Sequence, residues 1–155
     1  MTQHSNNKGV TIIEFIVVVT AFLVIIGALT PFVNMAKARS RSKACANNLR
    51  KISLGLHSYA ASHNNSFPAG LGELYPVYVD TEKVFDCPAT KNIGTKEKPE
   101  YRYAFGFTEL TPSKETMVED LDGNHNRDGK NILRVDGSVE WAAPAPESAT
   151  KPPQK

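Results

Sequence analysis

The stretch VTIIEFIVVVTAFLVIIGALTPFV, residues 10–33, dominates the interpretation of this sequence because it carries a single charge, Glu14. At 1.5 Å per residue, a helix over these residues spans about 36 Å, which exceeds the ~30 Å hydrocarbon core of a bilayer. A run rich in Val and Ile also suits a buried strand, but strands are rarely this long. The stretch therefore predicts a helix of membrane-spanning length.

Two common interpretations of this stretch are a cleaved secretory signal and a single-pass membrane anchor. A cleaved secretory signal usually has an apolar core of about 7–15 residues and ends at a small-x-small site. This run is longer, and Ala36-Lys37-Ala38 is a poor cleavage site. A plain single-pass anchor leaves Glu14 unexplained, because a carboxylate inside a membrane is costly and usually has a partner.

The sequence Gly9-Val10-Thr11-Ile12-Ile13-Glu14, followed by the apolar run, resembles the processing site of type IV prepilins and pseudopilins. The resemblance implies that a prepilin peptidase cuts between Gly9 and Val10. It also implies N-methylation of Val10 and a role in assembly for Glu14, the fifth residue of the mature chain. The family usually has Phe where this chain has Val10, whereas Pro31 lies where many pilins have a proline.

The charges that flank the run predict an orientation opposite to the one that the resemblance implies. The basic residues Lys37, Arg39, Arg41 and Lys43 follow the run, and the positive-inside rule alone would place them in the cytoplasm. Pilin-like proteins have the opposite orientation, with the C-terminal domain outside the cytoplasmic membrane. The rule is weakest when a large domain follows, so we expect the orientation of the family.

Beyond residue 33 the sequence predicts more helix and then a small sheet. An apolar stripe at helical spacing extends the helix to about Ser62, with Pro31 expected to kink or loosen it; the stripe comprises Cys45, Leu49, Ile52, Leu56 and Tyr59. The sequence then predicts a short helix or turn within 69–85, strands at 101–107 and 117–118, and a hairpin over 132–141. A two-residue Asp136-Gly137 turn is expected to join the hairpin. The fold class is α+β, with a long helix packed on an antiparallel sheet.

A second resemblance concerns the part after the apolar run. It is carried by Cys45-x-Asn47-Asn48-Leu49, Phe67-Pro68, Leu74-Tyr75-Pro76, Val84-Phe85-Asp86-Cys87-Pro88 and Asp136-Gly137-Ser138-Val139. These segments are similar to pilin-like proteins abundant in Planctomycetes and Verrucomicrobia. Many of those proteins end in a His followed, after nine residues, by Asp-Gly. In this chain ten residues separate His125 from Asp136.

Cys45 and Cys87 are the only cysteines of the chain. Outside the cytoplasm they can oxidise, and a disulfide would join the long helix to the loop before Pro88. The alternative is a pair of separate buried thiols. We expect the disulfide, because a domain with a modest core gains from a covalent tie.

Oxygen-bearing side chains alternate at the candidate calcium ligands Asp120, Asp122, Asn124, Asn126 and Asp128. Oxygens two residues apart converge on the ion in calcium loops, so this pattern makes calcium a candidate cofactor of the chain. No Glu lies at the twelfth position of an EF-hand. The same composition is typical of an exposed turn, so both interpretations stay open.

The remaining residues do not indicate an enzyme. No Ser-His-Asp set, phosphate loop or paired catalytic carboxylate is visible, and His57, His63 and His125 are expected to be surface or hydrogen-bonded histidines. Net charge is +6 over residues 1–72 and −4 over residues 73–155, which disfavours a nucleic-acid binder.

These observations divide the chain into a leader (1–9), a transmembrane or filament-core helix (10–33), a soluble half-helix with a small β domain (34–142) and a disordered tail (143–155). The expected function is that of a structural pilin or pseudopilin of a type IV pilus-like or type II secretion filament. Its partners would be prepilin peptidase, the cytoplasmic membrane, assembly machinery and copies of itself or other pilins. The alternative is a membrane-tethered, extracytoplasmic binding module.

Overall fold

The structure, a computed structural model, describes residues 11–125 and 128–144. The helix α1 (Ile12–Ser62) is followed by two 3₁₀ helices, Leu71–Leu74 and Glu82–Phe85. Four strands complete the described fold: β1 (Tyr101–Tyr103), β2 (Thr116–Asp120), β3 (Lys130–Arg134) and β4 (Val139–Ala142). The expected α+β class, one long helix and a small antiparallel sheet, is confirmed. The predicted leader and most of the predicted tail lie outside the described residues.

The chain divides into two compact units, Met1–Lys37 and Ala38–Lys155, called here the N-terminal and C-terminal units. In the described part of the N-terminal unit, α1 begins after Thr11, whose Oγ1 accepts a hydrogen bond from the backbone N–H of Glu14 at 3.4 Å. Ser or Thr at this position with Glu three residues later is a capping box. The helix continues through Pro31.

The apolar side chains of the N-terminal unit are exposed throughout. Ile13, Phe22 and Val24 expose 72%, 65% and 71% of their surface, and no residue of the most apolar window is buried. A helix that is apolar on all sides requires cover from lipid or from other chains. Its length and composition suffice to cross a membrane.

The C-terminal unit has its own core, and the predicted stripe of α1 forms one side of it. Cys45, Leu49, Ile52 and Leu56 are fully buried, and Tyr59 is half-buried at the edge. The basic residues Arg41, Lys43 and Arg50 lie on the exposed side. The 3₁₀ helices cover the stripe, as the sequence predicted, by burying Leu71, Leu74, Val84 and Phe85.

The four strands form an antiparallel sheet in the order β1-β2-β3-β4. In the register, Tyr101 pairs with Asp120 across β1 and β2, and Ile132 pairs with Glu140 across β3 and β4. Met117, Val118 and Leu133 point into the core and are fully buried. This register places the end of β2 beside the start of β3, where Asp120 faces Asn131.

The predicted strand at 101–107 is wrong in its second half. β1 ends at Tyr103, and Phe105 exposes 74% of its surface instead of continuing a buried aromatic face. Gly106 has φ of +86°, outside the extended region of a strand. The backbone therefore leaves the sheet, although Phe107 still packs against the core.

The predicted two-residue turn is also wrong, because a three-residue connection joins β3 to β4. The N–H of Arg134 donates to the Ser138 carbonyl at 2.9 Å, and the N–H of Gly137 donates to the Arg134 carbonyl at 3.0 Å. Of the central residues only Gly137 has a positive φ, +79°. A three-residue connection that ends in a glycine of positive φ is a common form of hairpin. Val135 is buried in this connection, and its N–H donates to the Glu115 carbonyl at 3.0 Å.

Candidate functional site

A buried cluster of four side chains lies in the C-terminal unit: Cys45, Cys87, Asp120 and His125. Each contributes one atom of a type that binds metal ions, and these four atoms lie within 4.8 Å of one another. Cys45, Cys87 and Asp120 have no exposed surface, and His125 exposes 8%. This group is called the Cys–Asp–His cluster below.

Four separate segments bring the cluster together. Cys45 is the first buried residue of the stripe on α1, and Cys87 follows the second 3₁₀ helix. The segment before Cys87 is fixed at the Asp86 carbonyl, which accepts hydrogen bonds from Asn48 Nδ2 at 2.8 Å and from the Tyr101 hydroxyl at 3.2 Å. Asp120 ends β2, and His125 lies in the connection to β3.

The two carboxylate oxygens of Asp120 differ in their surroundings. Oδ2 accepts hydrogen bonds from the backbone N–H and the side-chain amide of Asn131, at 2.8 and 2.7 Å. His125 Nε2 approaches the same oxygen at 2.9 Å. Oδ1 is buried and has no hydrogen-bond partner among the described residues. One oxygen is thus fully engaged while the other lacks a donor.

His125 links the carboxylate to a thiol. Its Nε2 lies 3.8 Å from Cys87 Sγ as well as 2.9 Å from Asp120 Oδ2. Trp141 of β4 packs edge-on against the imidazole, with 5.4 Å between ring centroids. The contact with Trp141 restricts the orientation of the imidazole.

These contacts shift the ionisation of the cluster. The hydrogen bond with Cys87, together with burial, raises the pKa of Cys45, and the same hydrogen bond lowers the pKa of Cys87. Burial lowers the pKa of His125, but hydrogen bonds with Asp120 and Cys87 outweigh it and raise the pKa to about 9. Cys87 is therefore more acidic, and His125 more basic, than the same side chains in water.

The structure brings Cys45 and Cys87 together, as the predicted disulfide requires, but both are free thiols in it. The disulfide stays a prediction for oxidising conditions. Sequence reasoning did not include His125 and Asp120 in the same site. The order Cys, Cys, Asp, His has spacings of 42, 33 and 5 residues, which match no short metal-binding pattern.

The predicted calcium ligands take different roles. Asp120 points into the Cys–Asp–His cluster, whereas Asp122 is exposed and pairs with Arg102 at 3.0 Å and with Lys130 at 3.4 Å. Asn124 Nδ2 donates to the Glu100 carbonyl at 3.1 Å. Asp128 is exposed, and Asn126 lies outside the described residues. Calcium binding stays a prediction that these contacts do not favour.

The residues of the predicted processing site are only partly described. Gly9 and Val10 lie outside the described residues, and Glu14 is exposed in the first turn of α1. Glu14 makes no ion pair with any residue that the structure describes. Its carboxylate is therefore accessible to a group outside this chain.

The other two histidines that the structure describes, His57 and His63, are hydrogen-bonded, as expected. His57 Nδ1 lies 2.7 Å from Glu109 Oε1, and His63 stacks on Tyr59 with 3.8 Å between ring centroids. Both lie away from the Cys–Asp–His cluster, and they provide matched controls for His125.

Comparison with known families gives one match that bears on function. The model of a family described as protein of unknown function (DUF1559) matches residues 35–82, which is less than half of the chain. That family is typical of pilin-like proteins of Planctomycetes, in agreement with the second resemblance. The match indicates a pilin-like or secreted surface protein. No curated protein and no solved structure matches the chain.

Proposed function

We propose that this protein is a structural subunit of a pilin-like filament, either a type IV pilus-like filament or a type II secretion pseudopilus. In this proposal the chain is made as a precursor in the cytoplasmic membrane, with the C-terminal unit outside the cytoplasm. Prepilin peptidase cuts after Gly9, and Val10 becomes the methylated N-terminus. Assembly machinery then moves the subunit into a helical filament of copies of itself or of other pilins.

The observation that carries the proposal is the exposed apolar helix of the N-terminal unit with its single acid. Phe15, Phe22 and Phe32 expose 64%, 65% and 70% of their surface. Burying such side chains is worth roughly 1.5–3 kcal/mol each relative to water. A bilayer supplies this cover before assembly, and a bundle of neighbouring helices supplies it afterwards.

The acid distinguishes a filament subunit from an ordinary anchor. Glu14 is four residues beyond Val10 in sequence, and in this proposal its carboxylate pairs with the amine created by cleavage or with the amine of an adjacent subunit. An unpaired charge in an apolar environment is costly, and pairing the two groups removes that cost. The match to DUF1559 over residues 35–82 supports the same class of protein.

The decisive test is the chemical identity of the mature N-terminus. The full chain would be expressed in a host with prepilin peptidase and its N-terminal peptide measured by mass spectrometry. We expect a chain that starts at methylated Val10. Gly9→Val should accumulate as uncut precursor, whereas the control Gly27→Ala, which has nothing within 4 Å of the added Cβ, should be processed normally.

An intact N-terminus that starts at Met1 in the wild-type chain would contradict the proposal. It would favour the alternative of a membrane-tethered binding module, whose apolar helix stays in the bilayer. Cleavage beyond the apolar run would instead indicate a secretory signal.

A further inference from the structure

The Cys–Asp–His cluster has the dimensions of a four-coordinate metal site. For zinc bonded to sulfur at ~2.3 Å and to nitrogen or oxygen at ~2.0 Å, tetrahedral geometry separates the ligand atoms by about 3.3–3.8 Å. The separation of Cys87 Sγ from His125 Nε2 is 3.8 Å, and His125 Nε2 lies 2.9 Å from Asp120 Oδ2. Since all four atoms lie within 4.8 Å of one another, shifts of about 1 Å would complete the geometry.

Asp120 gives an independent observation that points to a ligand at the cluster. It is fully buried, and its Oδ1 has no hydrogen-bond donor among the described residues. A buried carboxylate oxygen without a partner is destabilising, and native structures rarely leave one. A metal ion bound at this carboxylate would satisfy it.

The surroundings of Asp120 and the thiols resemble an outer shell of metal ligation. Asn131 donates two hydrogen bonds to Oδ2, which orients the carboxylate, whereas Oδ1 has no donor among the described residues. The Asp86 carbonyl before Cys87 accepts hydrogen bonds from Asn48 and Tyr101, which fixes the position of that thiol. Groups of this kind fix the direction of ligands and affect metal affinity.

The donor set selects the metal. Two thiolates and one imidazole are soft or borderline ligands that suit zinc, whereas calcium and magnesium prefer sites built from oxygen alone. The four side chains are buried, so the protein would supply all four ligands and leave no position for a substrate. Closed sites of this kind are structural.

A disulfide accounts for less of the observed arrangement. It would engage Cys45 and Cys87 alone and would leave the Asp120 Oδ1 atom without a partner. A metal ion engages both thiols, the imidazole and the carboxylate in one site. We propose that Cys45, Cys87, Asp120 and His125 bind one structural zinc ion, which joins α1 to the end of β2 and to the β2–β3 connection.

The test uses the full chain in detergent, purified under reducing conditions without a polyhistidine tag or chelator. Elemental analysis is expected to give one zinc per chain, and thiol titration after denaturation with chelator should give two free thiols. Replacement of zinc by Co²⁺ should produce thiolate-to-cobalt charge transfer and the intense visible bands of tetrahedral cobalt. Excess Ca²⁺ should leave these bands unchanged.

Variants separate ligation from general stability. His125→Ala should abolish stoichiometric zinc, whereas His63→Ala, which removes a histidine outside the cluster, should retain it. His125→Cys should still bind cobalt, with stronger charge transfer from a third thiolate. Asn131→Ala keeps all four ligands and should weaken zinc binding about 10–100-fold.

Two results would overturn the proposal. One is a folded, metal-free wild-type chain that does not take up added Zn²⁺ or Co²⁺, whether its cysteines are oxidised to a disulfide or free. The other is equal loss of zinc from His125→Ala and His63→Ala. Neither result bears on cleavage at Gly9, so failure of the zinc proposal would leave the filament proposal untouched, and the reverse also holds.

Discussion

The N-terminal and C-terminal units differ in the exposure of their large apolar side chains. In the described part of the N-terminal unit even Val19, its least exposed large apolar residue, exposes 38% of its surface. In the C-terminal unit Leu49, Ile52 and Leu56 expose none. One unit therefore completes its own core, whereas the other leaves its apolar side chains exposed and requires cover from lipid or from other chains.

Both patterns occur within the single helix α1. From Ile12 to about Val33 the helix has large apolar residues on all sides, whereas beyond Lys37 its buried apolar residues lie on one stripe. A stripe needs cover on one side, which the sheet and the 3₁₀ helices of the same chain provide. An all-apolar surface needs cover on every side, and the large apolar side chains of residues 12–35 are all exposed.

The largest expected effect concerns Glu14, because it tests whether the N-terminal unit depends on other subunits. Removing one partner of a desolvated ion pair costs about 3–5 kcal/mol, so Glu14→Val should be cleaved normally but should fail to form filaments. Filament yield and the mature N-terminus would be measured on the same cells. Thr20→Val, which also removes a polar group from the exposed apolar run, should assemble normally.

Loss of filaments in Glu14→Val could also result from loss of the capping contact between Thr11 and Glu14. The variant Glu14→Gln separates the two explanations. Gln preserves a capping box but carries no charge. Loss of filaments in Glu14→Gln would support the amine–carboxylate pair. Filaments at the wild-type yield in either variant would contradict the charge-based role.

The same substitution in the two units should have very different effects on stability. Leu49→Ala removes a fully buried side chain and should lower the free energy of unfolding of the C-terminal unit by about 2–5 kcal/mol. Leu29→Ala removes a side chain that exposes 54% of its surface. It should change the free energy of unfolding of the C-terminal unit by less than about 0.5 kcal/mol. The fluorescence of Trp141, the single tryptophan, reports urea unfolding of the C-terminal unit. Equal shifts would show that the units are not energetically distinct.

Two glycines allow a smaller comparison. Gly137 has φ of +79°, and an added Cβ would lie 3.1 Å from Ser53 Oγ, so Gly137→Ala should destabilise the C-terminal unit by about 1–2 kcal/mol. Gly27 lies within α1 with open space around an added Cβ, so Gly27→Ala should leave the Trp141 transition unchanged. A neutral Gly137→Ala would mean that the turn relaxes to another form.

The smallest effect should be the acid sensitivity of the β3–β4 turn. Hydrogen bonds from the Ser138 hydroxyl and backbone N–H, with Lys114 nearby, hold the pKa of Asp136 well below its ordinary 3.8. A lowered folded pKa stabilises the fold above pH 3.8, and this contribution is lost as the pH falls below that value. The difference in urea midpoint between wild type and Asp136→Asn should therefore shrink between pH 6 and pH 3. If the difference in urea midpoint did not change with pH, the stabilisation by Asp136 would come from its hydrogen-bond geometry rather than from its charge.

The local spacing of apolar residues sufficed to predict those elements whose conformation depends on residues nearby in the sequence. The stripe from Cys45 to Leu56 predicted the buried side of α1, because helical spacing alone determines which residues share a face. The strand after Tyr103 and the Asp136-Gly137 turn were mispredicted. In both cases contacts with distant residues decide the backbone: Phe107 with Phe67 in the first, Val135 with Glu115 in the second.

The sequence by itself determined the long helix, its all-apolar first half, the single acid at Glu14 and the α+β class. Each of these follows from composition and from spacing along one element. Only the tertiary structure placed Cys45, Cys87, Asp120 and His125 together, and only it showed the unpaired Oδ1 of Asp120. The reason is physical: the four side chains meet because the stripe of α1, the second 3₁₀ helix and the end of β2 pack around the same core, and no local spacing encodes that packing.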